Sequence, residues 1–127
     1  LLNAQRKRIG CRIYQLEFTD TEKTKPFAFS GIDVLRKAGF QQPPASEYRL
    51  VRDETLYCPK DEPDLAVLER VFERYNGKLP ADYPGRCIAP SDVLELYDAE
   101  KRRYYYRDMK QFVPVAFSPL LARPIQK

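Results

Sequence analysis

The residues best suited to chemistry lie in one run, Lys101-Arg102-Arg103-Tyr104-Tyr105-Tyr106-Arg107. Five cations fall between Lys101 and Lys110, against Asp108 alone. On a strand, side chains alternate between faces. Arg103, Tyr105 and Arg107 then share one face, and Arg102, Tyr104, Tyr106 and Asp108 the other. Rings interleaved with guanidinium groups suit a single-stranded nucleic acid: rings stack bases and cations hold phosphates. The plainer expectation is an amphipathic strand with its Tyr face packed inward and its Arg face solvated. Lys101, Arg102, Arg103, Tyr105 and Arg107 are therefore the candidate nucleic-acid contacts. Those of Tyr97, Tyr104 and Tyr106 that are exposed are the candidate anchors for a protein partner, since Tyr and Arg dominate binding hot spots.

Other reactive groups are sparse. The chain has no histidine among its 127 residues. That excludes Ser-His-Asp and Cys-His catalysis and any His-ligated metal. Asp61, Glu62 and Asp64 are adjacent but fit a helix N-terminus, where the dipole favours negative charge. Asp92 and Glu95 are close in sequence, and capping and solvation account for them. No glycine-rich phosphate loop or nucleophile elbow occurs. Cys11, Cys58 and Cys87 are widely spaced, with no CxxC pair, and read as small apolar side chains in a reducing compartment. Cys58, shortly before a helix, is the least implausible thiol nucleophile. The expectation is no enzyme, no cofactor, no metal, and a cytoplasmic setting.

The elements that must position these residues follow from periodicity. The expected fold class is α+β: one domain with a small antiparallel sheet and two helices. Arg6, Lys7 and Arg8 head a basic arm over residues 1–10. Cys11 to Phe18 alternates as a strand, with Tyr14, Leu16 and Phe18 as its core face. Ser30 to Asp33 has the form of a capping box, opening a two-turn helix that Gly39 ends. Glu47 to Cys58 is extended, either one bent strand or a hairpin interrupted at Asp53-Glu54. Asp64 to Tyr75 is the clearest helix, with Leu65, Leu68, Val71, Phe72 and Tyr75 on one stripe. Strands are expected over 88–97, 103–108 and 112–115, with a turn at 98–102 and a tail over 118–127.

Composition agrees with a folded domain: 43% of residues are hydrophobic and the formal net charge is +4. No apolar run is long enough for a bilayer. The start, Leu1 to Arg8, lacks Met and the apolar core of a signal peptide, which leads to the expectation of a processed or trimmed chain, or one module of a larger polypeptide.

The chain resembles the YodL-like domain family. The resemblance rests on Arg12-Ile13-Tyr14-Gln15-Leu16, on Tyr48-Arg49-Leu50-Val51 followed by Leu68 to Asn76, on Pro84-Gly85-Arg86 with Ser91-Asp92-Val93-Leu94, and on Tyr105 to Asp108 with Phe112-Val113-Pro114. Together these span residues 11–117. Lys110-Gln111-Phe112 stands where family members usually carry Gly-Phe. The resemblance implies a small bacterial domain, often borne on conjugative elements or phages, with no catalytic residues to carry over. The leading expectation is a non-enzymatic protein-interaction or regulatory module acting on a host or element-encoded protein. The alternative is a nucleic-acid-binding accessory module using residues 101–110 with the N-terminal basic arm.

Overall fold

β1 (Arg6–Leu16) sets the architecture because both of its faces are buried. The structure, a computed structural model, describes residues 6–126. Five antiparallel strands form one sheet in the order β2-β1-β3-β4-β5. They are β1, β2 (Tyr48–Pro59), β3 (Val93–Tyr97), β4 (Arg102–Arg107) and β5 (Phe112–Val115). Helices α1 (Ile32–Lys37) and α2 (Asp64–Arg74) complete the α+β domain that the periodicity predicts.

Each face of the sheet has its own core. Cys11, Ile13, Leu94, Leu96 and Tyr105 pack under α2 with Val67, Leu68 and Val71. Tyr14, Leu16, Tyr48, Val93 and Tyr106 pack on the other face with Phe27, Leu35 and Phe117. Alternation alone favours Tyr14, Leu16 and Phe18 as the core side. Cys11 and Ile13 on the opposite side are fully buried as well, because β1 is central and α2 covers that face. Phe18 lies beyond the strand and is 54% exposed.

Three other expectations are corrected, and of the two readings of residues 47–58 the single bent strand is the one that forms. Arg6 to Gly10 is no arm: it is the first half of β1, paired with residues 55–59 of β2. Residues 1–5 lie outside the described residues. Tyr48–Pro59 is one strand without interruption, its bend absorbed by a bulge at Val51, where the register with Ile13 and Tyr14 shifts. The capping box does not form. The Ile32 N–H, free at the start of α1, donates instead to Asp108 Oδ1 at 3.1 Å. The stripe on α2 is rotated: Val67 is buried and Leu65 is exposed, because the helix leans Asp64 toward β4.

The segment after Phe117 is also more than a tail. It makes a single 3₁₀ turn, Pro119–Leu121, and then docks Arg123 beside β2. Arg123 donates its N–H to Tyr48 O and accepts from Leu50 N–H, both at 2.8 Å. β3 starts at Val93, five residues later than the predicted extended segment, because 89–92 is a tight turn. Asp92 Oδ2 accepts the Ala89 N–H at 2.9 Å there. Ser91 sits at φ 82. It is held by three bonds: its N–H to Arg107 O, its Oγ from Phe29 N–H and its carbonyl from Tyr48 O–H.

Candidate interaction surface

Alternation along β4 places its two faces in opposite environments. Arg103, Tyr105 and Arg107 face α2, not solvent. Arg103 and the Tyr105 hydroxyl both donate to Asp64. Burial alone would raise the Asp64 carboxyl, but these two donors hold it below the ordinary carboxylate range. Arg107 is buried, with its guanidinium 4.0 Å from the Phe72 ring centroid and 3.3 Å from Glu69 Oε2. The cations that a phosphate would need are thus committed to helix carboxylates. The Arg face is not solvated, because α2 brings Asp64 and Glu69 over it.

Tyr106 points the other way and is 0% exposed. Its hydroxyl donates to Ser30 O at 2.9 Å, so it is a core residue and not a surface anchor. Tyr106→Phe is expected to lower stability by about 0.5–1.5 kcal/mol in urea denaturation, the usual worth of one such bond, while leaving any surface binding unchanged. Full stability in the variant would show that the Ser30 bond contributes nothing.

The remaining part of that second face is open. Antiparallel partners share a face, so the registers gather Arg8, Gly10 and Arg12 of β1 with Asp53, Thr55 and Tyr57 of β2, Glu95 and Tyr97 of β3, and Arg102 and Tyr104 of β4. A shallow groove of about 790 Å³ runs between Arg8, Thr55, Tyr97 and Arg102. Tyr57 is 63% exposed. Lys101 is exposed at the rim, in a turn where Asp98 Oδ1 accepts the N–H groups of Glu100 and Lys101. Those two backbone bonds hold the Asp98 carboxyl below its usual range.

A polar network fixes this surface from beneath. Glu95 is fully buried. It accepts from the Tyr14 hydroxyl at 3.0 Å and from Arg12 at 3.1 Å, with Arg102 at 3.7 Å. Arg12 also donates to Asp53 at 3.0 Å. The Arg12 guanidinium lies 4.0 Å from the Tyr97 ring centroid, and Tyr97 O–H donates to Asp53 at 2.6 Å. Tyr97 lies flat on β1 because Gly10 has no Cβ; a Cβ there would collide with the ring. Desolvation, then the negative charge of Glu95 and the hydrogen bond to it, push the Tyr14 phenol up, so it stays a donor.

Of the residues proposed from sequence, the structure brings Tyr97, Tyr104 and Arg102 together on this surface, with Lys101 beside it. Arg12 and Tyr57 complete it and were missed, and Arg8 joins it from within β1, not from the basic arm in which the nucleic-acid reading placed it. The alternation of Arg6 and Arg8 with Lys7 and Ile9 was the available signal, since it continues the period of the strand that follows.

A second polar cluster lies on the α2 side. Asp92 is 1% exposed, and its Oδ2 accepts from Gln15 Nε2 at 2.9 Å. Asp92 and Glu95 therefore sit on opposite faces of the sheet and form no dyad; both are buried, not solvated. Cys58 is fully buried, and Cys11 is too, its thiol pushed up by burial and then by Glu54. Among the described residues, no three Cys, Asp or Glu gather as a metal site, and no helix is long and apolar enough to cross a membrane.

The fold and this surface define a small α+β domain with a two-sided sheet that is covered fully on one face and half on the other. The chain belongs to the YodL-like domain family, whose model matches residues 10–117. No curated protein and no solved structure matches it.

Proposed function

We propose that this domain is a non-enzymatic interaction module that binds a protein partner through the open half of its sheet. One observation carries the reading: Tyr57, Tyr97 and Tyr104 stand with Arg8 and Arg102 on an uncovered surface made rigid by buried Glu95. Rigid aromatic rings lose little entropy on contact, and Tyr and Arg are the residues enriched where binding energy concentrates. The three free thiols support a reducing cytoplasm. The family supports a bacterial protein of the conjugative-element or phage type, with this domain as one module of it.

A single-stranded nucleic acid is the second reading, moved to this surface from the opposite face of β4. Arg8 beside Tyr57 favours it, since ring and cation alternate there. Asp53 on the same surface, and the commitment of Arg12 to Asp53 and Glu95, weigh toward protein.

Affinity capture from a native lysate, with and without nuclease, separates the two. A Tyr57→Ala/Arg102→Glu double variant is expected to lose the captured protein at least tenfold, with nuclease making no difference; hot-spot residues of this kind cost about 2 kcal/mol or more each. Equal capture by the variant would overturn the surface. Loss of all captured material on nuclease treatment would replace protein by nucleic acid.

A further inference from the structure

The outer edge of β2 is a second surface to account for, bordering the open face at Asp53, Thr55 and Tyr57. Sheet edges are templates for further strands, and folds usually blunt them. Here two of the three edge stretches are blunted. β5 has four residues with Pro114 among them. The first half of β2 is occupied by Arg123. From Val51 to Pro59, no strand among the described residues pairs with the outer side of β2. This stretch has no proline before Pro59, and its bulge is at its very start.

We propose that this edge pairs with a second copy of the chain, antiparallel, about a two-fold axis through Thr55. An axis normal to the sheet requires one residue to face itself, because paired side chains must share a face. Only a few centres are available. Centres at Arg52, Asp53 or Glu54 set like charges directly opposite, which is destabilising. Centres at Leu56 or Tyr57 leave the first residues of this stretch without partners, because β2 ends at Pro59. At Thr55 no like charges meet. Thr55 faces Thr55, a favourable cross-strand pair, Arg52 faces Cys58, Glu54 faces Leu56, and Asp53 faces Tyr57. Asp53 and Tyr57 are both exposed, and a carboxylate that already accepts from Tyr97 and Arg12 has lone pairs left for a Tyr57 hydroxyl. The two open faces then lie on the same side of a ten-stranded sheet.

Sedimentation equilibrium of the chain at about 100 µM, enough to populate a dimer with a Kd of about 10 µM, is expected to give a mass approaching twice the monomer's. Thr55→Lys and Thr55→Glu each place like charges across the axis and are expected to weaken association about tenfold. Mixing the two variants is expected to restore the dimer, because Lys then faces Glu. Thr55 is exposed, so neither change touches the core. Amide exchange in 52–58 of the unmodified chain is expected to slow with rising concentration. A monomer at that concentration overturns the proposal. So does a dimer that both variants form as well as the parent, or one that the mixture fails to restore. Addition of a strand from a different protein to a monomeric chain overturns it too.

Discussion

Asp92→Asn is expected to stabilise the protein by about 2–4 kcal/mol at pH 8 and by almost nothing near pH 4. Asp92 is buried, with Oδ2 satisfied by Gln15 and Ala89 and Oδ1 buried without a partner. Burial raises its carboxyl, the Ala89 and Gln15 bonds and distant Arg86 pull it back, and the balance leaves it at about 7. The sign follows from where the proton goes. Near pH 4 and below, folded and unfolded chains both hold it. Between about 4 and 7 the unfolded chain releases it while the folded chain keeps it, so stability falls as pH rises. Above 7 the loss is complete and flat, on the order of 4 kcal/mol for a carboxyl carried from 3.8 to about 7. Asn has the same shape, accepts the same two bonds and never ionises. Urea denaturation of both proteins at pH 4.5, 6 and 8 measures the gap directly, and other titrating groups cancel in the difference. Parallel stabilities across that range would mean that Asp92 ionises in the fold at no cost.

The same residue illustrates what a sequence can and cannot say. Periodicity located α2 and β5 almost to the residue, because an amphipathic stripe and a short β-rich run bounded by turn residues are local signals. It read Asp92 and Glu95 as solvated because charge ordinarily means surface. Their partners are remote: Gln15 is 77 residues from Asp92, and Tyr14 is 81 from Glu95. Only the pairing of β1 with β3 creates those contacts. Arg103 and Arg107 were misread for a related reason. Their alternation was seen correctly, but the helix that supplies Asp64 and Glu69 lies about 39 residues earlier, and nothing local states which face it covers. The open surface was half legible: Tyr97, Tyr104 and Arg102 carry recognisable chemistry, whereas Arg8 was hidden inside a run of charges that resembles an arm.

Glu95→Ala is expected to cost about 3–5 kcal/mol, the penalty for stranding the partners of a buried ion cluster. Three groups lose their common acceptor: the Tyr14 hydroxyl, which is buried, and the guanidinium groups of Arg12 and Arg102. Arg12 keeps Asp53, but without Glu95 it is drawn to one side, and Tyr97, which stacks on it above Gly10, loses its seat. Glu95→Gln separates charge from hydrogen bonding. Its carbonyl still accepts from Tyr14, so the expected loss is smaller, about 1–2 kcal/mol. It also leaves the open surface one charge more positive without altering its shape. If a protein partner reads Tyr57, Tyr97 and Tyr104, Glu95→Gln should bind it nearly as well as the parent does, while Glu95→Ala should bind it poorly at temperatures where the chain is still folded. If nucleic acid is the ligand, Glu95→Gln should bind more tightly, with a steeper salt dependence. Equal denaturation midpoints for Glu95→Ala and the parent would remove the basis for a rigid surface, and with it the argument that these tyrosines are held ready for a partner.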